Sequence, residues 1–402
     1  MKNLPYLLFF LVTQIYAQKI DLNIGEVSAN DYFETIAFEF QTEKIIVPVE
    51  IEGVTYKFIL DTGAPNIISK EIHDLISPKL LNTIPITDAS GIKENLDVVS
   101  VKSLKFANVV FENTATLVFD KTKNPVFECF GVDGFIGSNM LRNSIVQIDV
   151  LQKKIRLTNN RKLLDLDKKN SSKIKLFGTQ SSPYVWVKLK GEKRGKEQVL
   201  IDTGASGLYD ISKSNYNKFS DQSIFNALGE SEGASAISLF GDVPVETHYR
   251  LHLPTLEVND HDFNNVITIT TNDRNSRIGS ELLKYGVMTI DFLNKRFYYK
   301  AEHNPINVEV AEYGFSKTLK DNKLVVGFVW DEELHKVLNY GDEILQINNT
   351  DIVLCDIINK STEEDLNPFM ELKIKPLKGD VFDITVEKHL LTKSKLLTLT
   401  HP

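Results

Sequence analysis

Cysteine is nearly absent: Cys129 and Cys355 are the two such residues in a chain of 402. Two cysteines this far apart cannot be read as a disulfide framework. Folding is therefore expected to rest on core packing, with both thiols buried as small hydrophobes rather than bridged. An excess of basic charge is missing too. A net charge of -8 and a pI near 5.6 remove any electrostatic reason to expect nucleic acid as a partner. Long apolar runs are lacking except at the start, where "MKNLPYLLFFLVTQIYAQ" joins one lysine, an apolar stretch from Leu4 to Tyr16 broken by Thr13 and Gln14, and the small residue Ala17. That pattern is short for a bilayer span and fits a secretory signal cleaved after Ala17. Residues 1–17 are thus expected to be a signal peptide, with no cysteine near the cut to carry a lipid anchor and no membrane span after its removal. Metal-ligand spacing is also wanting. His248 and His252 stand four apart in "HYRLH", but the segment reads as a strand and no H-E-x-x-H occurs, so surface histidines and no metal are expected. Ser206 in "TGASG" has Leu208 where a nucleophile turn needs glycine, which argues against a serine hydrolase.

What is present is ordinary globular material. Apolar residues make up 42% and charged residues 25%, and the length suits two or three domains. Strand signals dominate: "TIAFEF", "KIIVPVEI", "VTYKFIL", "VQIDV", "KKIRL", "YVWVKL", "EQVLI", "MTIDF" and "RFYYK" are short and β-branched or aromatic. Helical stretches are few, with "SKEIHDLI" and "SNMLRN" the better candidates. The class implied is mostly β. "GEKRGKE", Gly191 to Glu197, reads as a solvated hairpin tip.

An internal repeat then organises the chain. "FILDTGAPN" around Asp61 is followed by "GFIGSNML" and "VQIDVLQKKIRL"; "VLIDTGASG" around Asp202 is followed by "SRIGSELL" and "MTIDFLNKRFYY". Asp61 to Gly137 is 76 positions and Asp202 to Gly279 is 77, while Gly137 to Asp149 and Gly279 to Asp291 are both 12. Two copies of one unit are expected at residues 18–160 and 161–302, joined by the lysine-rich polar stretch Asn159 to Lys173. "TIAFEF" is expected to be a strand between the lobes rather than part of a removable pro-segment. A second junction at Ala301 to Asn307 leads to a third unit, residues 305–402, of ordinary domain size.

A carboxylate at the end of an apolar strand is costly unless it is hydrogen-bonded or works. Gly63 and Gly204 let backbone amides approach a carboxylate, and the Thr62 and Thr203 hydroxyls can be satisfied across a pseudo-twofold axis. If the two turns face each other, Asp61 and Asp202 share one proton, because like charges that close cannot both ionise. One aspartate then activates water as a base and the other donates a proton, hydrolysing an amide without metal or cofactor.

On these motifs, residues 18 to 300 resemble a two-lobed aspartic protease built from retropepsin-like units. Each D-T-G-A matches that family's catalytic turn. "FIG", Phe135 to Gly137, and "RIG", Arg277 to Gly279, match the apolar-apolar-glycine strand behind it. The resemblance implies Asp61 and Asp202 as the catalytic pair, Thr62, Gly63, Thr203 and Gly204 as the supporting turns, and Gly137 and Gly279 behind them. It also implies flaps, for which Thr87 to Asp97 and Gly229 to Asp242 are the candidates. Arg277 departs from the apolar residue usual at its position, Pro65 stands where the second copy has Ser206, and neither flap candidate has the tyrosine of pepsin-like enzymes. Alanine after each D-T-G removes a hydroxyl donor to the carboxylate, so a less acidic optimum is expected than in D-T-G-S enzymes. The third unit resembles a PDZ domain, small and α+β. "GDEILQINN", Gly341 to Asn349, matches its glycine-aspartate turn, and Tyr313, Gly314 and Phe315 stand at its carboxylate-binding loop, which implies capture of peptide C-termini. The expectation is an exported aspartic endopeptidase, in a bacterial periplasm or exterior, acting on protein or peptide substrates. The alternative is an inactive peptide-binding protein using the cleft and the PDZ-like unit.

Overall fold

The computed structural model describes residues 21–391 apart from 89, 220–221, 235–236 and 360–366. The expected signal peptide lies outside the described residues, among which no helix is long and apolar enough to cross a membrane. The described chain is built mainly of strands.

In the first repeat, Lys44–Ile51 and Val54–Asp61 form an antiparallel hairpin. Its two-residue turn needs a left-handed backbone at both centres, and Glu52 (φ 51) and Gly53 (φ 80) supply it. Val54–Asp61 ends in the apolar run Phe58, Ile59, Leu60, all buried. It lies antiparallel to Lys44–Ile51 on one side and parallel to Gly134–Gly137 on the other, with Gly137 opposite Asp61. A strand covered on both faces reads as a continuous apolar run rather than an alternating one.

The second repeat copies this arrangement. Arg194–Ile201 pairs antiparallel with Ser182–Lys190, the turn between them falling at "GEK", and parallel with Arg277–Ile278. The lobes join through a shared sheet: Ile145–Asp149 of the first runs antiparallel to Gly286–Asp291 of the second, Ile145 facing Asp291. Phe33–Ala37, from "TIAFEF", pairs with Lys154–Thr158 in this sheet. The connection between repeats is shorter than the lysine-rich composition suggested. After two single 3-10 turns, Arg161–Leu163 and Lys168–Asn170, a strand begins at Ser171 and runs to Phe177. Of the lysines in that stretch, Lys162, Lys168 and Lys169 lie in the two turns, while Lys173 falls in the strand and points outward with Lys175, Ile174 between them being buried.

Ile306–Asn307 still belongs to the second lobe, pairing with Phe263 and Asn264. The C-terminal unit then forms its own sheet, in the order Ala311–Tyr313, Phe382–Leu390, Phe369–Lys375, Glu343–Ile347, Lys323–Val329, Phe315–Lys320. Its core includes Val326, Leu338, Ile344, Leu372 and Ile374. One short helix, Leu354–Asn359, docks on the helix Pro125–Phe130 of the first lobe.

At that contact the cysteine expectation fails: Cys129 and Cys355 are joined by a disulfide, their Cα atoms 4.8 Å apart. Separation along the chain says nothing about separation in space once one unit packs on another. Asn359 Nδ2 donates to the Cys129 carbonyl at 3.1 Å, and Thr42 Oγ1 to that of Ile358 at 3.0 Å, reinforcing the contact.

Candidate active site

The two D-T-G turns meet at the lobe interface. Thr62 N donates to Thr203 Oγ1 (3.0 Å) and Thr203 N to Thr62 Oγ1 (3.2 Å). Each hydroxyl passes its own proton to the opposite strand, Thr62 Oγ1 to the Ile201 carbonyl and Thr203 Oγ1 to that of Leu60, both at 2.7 Å. Both threonines are buried, so this reciprocal set satisfies groups that would otherwise be costly orphans. Within each turn the carboxylate folds back onto amides: Gly63 N and Ala64 N donate to Asp61 Oδ1 at 2.9 and 3.1 Å, and Gly204 N and Ala205 N to Asp202 Oδ1, both at 3.1 Å.

Glycine is required by close approach rather than by unusual dihedrals. A Cβ on Gly63 would lie 2.5 Å from Asp202 Cγ, and one on Gly204 would press still closer on the Asp61 carboxyl. Each carboxylate therefore sits over the glycine of the opposite turn. Gly137 and Gly279 pack directly behind the turns: a Cβ on Gly137 would collide with the Pro65 and Asn66 backbone, and one on Gly279 would lie 2.5 Å from the Gly207 carbonyl. Ser138 N and Ser280 N tie these strands to the turns through the Ala64 and Ala205 carbonyls, at 3.0 and 2.9 Å.

The surroundings are less symmetric. Gln180 Nε2 donates to the Gly63 carbonyl at 3.0 Å, but the matching Gly204 carbonyl receives the ammonium of Lys44 at 2.6 Å, which also reaches Ser206 Oγ at 2.9 Å. Burial pulls the Lys44 pKa down, opposed by Asp202, Asp61 and Glu43. Arg277 stands where the first repeat has Phe135. It faces Asp202, with Nη1 3.2 Å from Asp202 Oδ2. It also pairs with Asp273 through Nη2 and stands 4.0 Å from Asp210 through Nε. Burial opposes the Arg277 charge and these three carboxylates outweigh it. Burial pushes Asp210 up to about 6 despite the arginine, and raises Asp273.

Among the described residues, no such cation stands at hydrogen-bond distance from Asp61. Its carboxyl is pushed up to about 7, first by burial and then by the charge of Asp202, with the Gly63 amide pulling the other way. Asp61 is thus poised to hold a proton below about pH 7, beside the Asp202 carboxyl that faces the guanidinium. Lys44, Gln180, Asp210 and Asp273 were not singled out from the sequence. Arg277 was noticed only as an anomaly, a charge where the first repeat has Phe135, and that anomaly was the readable signal.

Asp61 and Asp202 lie in a cleft of about 930 Å³ between the lobes. The hairpin Lys79–Thr87 and Lys93–Phe106 reaches toward it, its tip held by Asp88 Oδ1 accepting from Ser90 N and Ile92 N at 3.0 and 2.9 Å. From the second lobe a small hairpin, Ile237–Ser238 and Gly241–Asp242, crosses over, and Leu239 and Phe240 pack on apolar residues of the first lobe. His248, expected at the surface, is buried; its Nδ1 meets the Thr270 carbonyl and its ring lies 5.2 Å from that of Phe328. The segment is a strand, as expected, and its His248 face is covered by Phe328 of the C-terminal unit. His252 is half-buried, its Nε2 3.1 Å from Asn265 Oδ1. No group of residues suited to a metal occurs among the described residues.

Tyr313 ends the strand Ala311–Tyr313 and Phe315 begins the strand Phe315–Lys320, with Gly314 between them; the two strands stand at opposite ends of the sheet. The Gly314 carbonyl accepts from Trp330 N (2.7 Å) and Asp331 N (3.0 Å), Phe315 is buried, and Tyr313 OH donates to the Asn367 carbonyl at 3.0 Å.

Residues 47–140 match the family model of aspartyl proteases. The matched segment carries Asp61, its turn and Gly137, and stops before Asp202. A search of curated proteins found no match. Among solved structures, a retropepsin-like aspartic protease from Rickettsia conorii aligns with 34% of this chain and 94% of its own, at 16% identity and a TM-score of 0.23.

Proposed function

We propose that the chain is an aspartic endopeptidase whose dyad is Asp61 and Asp202. The observation that carries this reading is the pair of carboxylates, each seated over the opposite turn's glycine. In the proposed reaction, water lies between the two carboxyls. Asp202 takes a proton from it as the oxygen bonds to the scissile carbonyl carbon, while Asp61 gives its proton to the carbonyl oxygen. The gem-diol then collapses: Asp202 passes the proton it took to the leaving nitrogen, the C–N bond breaks, and Asp61 recovers its proton from a hydroxyl. Arg277 steadies the negative charge on Asp202 between turnovers.

Activity is expected below about pH 7, where Asp61 keeps its proton. Export to a periplasm or the exterior is part of the proposal. The apolar start of the chain supports it, and so does the Cys129–Cys355 bridge, since such bonds persist in oxidising compartments. The C-terminal unit is proposed to be PDZ-like and to recruit peptides along the strand Phe315–Lys320, which lies at the end of its sheet.

The test is digestion of an unfolded protein in water enriched in oxygen-18. Direct attack by water predicts label in every new carboxyl terminus and no covalent enzyme adduct. Intact protein at every pH, with peptides still bound, would favour the peptide-binding alternative.

A further inference from the structure

The C-terminal unit reaches the cleft. Its strand Lys323–Val329 lies along Asn226–Gly233 of the second lobe, with Val329 N donating to Ser231 Oγ at 3.0 Å. Glycine on both sides allows the backbones to touch: a Cβ on Gly233 would lie 2.8 Å from the Gly327 carbonyl, and one on Gly327 would lie 2.5 Å from that of Ala234. This contact delivers the next residue, Phe328, to the cleft wall, its ring against His248 and 4.8 Å from that of Trp330. Phe328 lines the cleft yet is only 2% exposed, so it lies deep in the wall rather than at its rim. Ala234, Leu239, Val243, His248 and Ile269 line the cleft with it. At its other end the C-terminal unit is fastened to the first lobe by the Cys129–Cys355 bridge, beside Val126 and Phe127, which also line the cleft.

We propose that the C-terminal unit is part of the substrate cleft, and that Phe328 is the floor of an apolar subsite on the second lobe that limits the size of the substrate side chain admitted there. The inference rests on the peptidase reading above. A recess walled by aliphatic groups and floored by an aromatic ring favours an uncharged side chain of modest volume, because a charge would be desolvated without a partner. The His248 ring does not supply one: its Nδ1 is engaged by the Thr270 carbonyl, and burial lowers its pKa, which favours the neutral form.

The test compares wild type, Phe328→Leu and Phe328→Ala on a mixture of unfolded proteins, with cleavage sites mapped by mass spectrometry. Shortening the ring deepens the recess. At one position flanking the scissile bond, preference should shift toward bulkier apolar side chains, by about tenfold in relative kcat/KM for the alanine variant and less for leucine. Preferences at the other positions should stay as in wild type. Phe328→Leu keeps most of the packing, so the shift is measurable even if Phe328→Ala fails to fold. An unchanged profile in an active Phe328→Leu enzyme overturns the subsite while leaving the peptidase reading intact. A wild type that cuts nothing overturns both.

Discussion

Replacing Arg277 with leucine should move the acid side of the pH–rate profile upward. The guanidinium lies 3.2 Å from Asp202 Oδ2, and both side chains are about one-tenth exposed (11% and 9%), so solvent screens the pair weakly. A unit charge about 4 Å from a carboxylate at an effective dielectric of about 20 is worth about 4 kcal/mol, or about three pH units. With the guanidinium gone, Asp210 and Asp273, both already raised by burial and held down by Arg277, protonate more readily and withdraw part of their own repulsion from the pair. A shift of about one to two pH units is therefore expected rather than the full value. The sign follows from the charge: without a cation the pair gives up its first proton only at higher pH, so the acid limb rises. The alkaline limb, set near 7 by the burial of Asp61 and the charge of Asp202, moves less. The bell narrows, and its peak falls. The assay is kcat/KM for one peptide across pH, with Arg277→Lys alongside, which restores a cation but not the multiple hydrogen bonds. An acid limb that stays in place or moves downward in Arg277→Leu would refute the reasoning, and a loss of activity with unchanged limbs would reduce Arg277 to a structural part.

Gly204→Ala should cost about 100-fold in kcat with KM little changed, since its Cβ collides with the Asp61 carboxyl and a shift well under a residue's width displaces the reacting oxygen; wild-type kcat in the variant would contradict the seating described. The double substitution Cys129→Ser, Cys355→Ser opens a loop with a sequence separation of 226, for which chain entropy sets a ceiling of about 5 kcal/mol. A lower denaturant midpoint is expected by the fluorescence of Trp330, in the C-terminal unit, and an unchanged midpoint would mean that the bridge does not hold the folded protein together.

The β class and the doubled turn were legible because both are local: strand periodicity lies in runs such as "VTYKFIL", and the match between Asp61–Gly137 and Asp202–Gly279 is a distance along the chain. What escaped reading depends on one part of the chain meeting another. His248 occupies a polar-looking face of the strand Glu246–Val258, and the docking of the C-terminal unit, with Phe328 against His248 and Glu312 and Trp330 against Arg250, covers that face. Cys129 and Cys355 are neighbours only because two short helices pack together. Lys44 sits in an edge-like run, "KIIVPVEI", where a lysine at the start looks like a solvated strand end. Its ammonium instead caps the second D-T-G turn, 160 residues away. Arg277 was visible as a breach of an apolar pattern, and such breaches beside an aspartate turn are worth reading as charge partners rather than as packing faults.

The most direct test is to make Asp61→Asn and Asp202→Asn separately and measure hydrolysis of an unfolded protein between pH 3 and pH 8, with and without pepstatin, after checking that each variant unfolds cooperatively. The account predicts pepstatin-sensitive cleavage by the wild type and none by either variant, because each carboxyl has its own part in moving the protons. Cleavage surviving in either folded variant would contradict the shared-proton dyad.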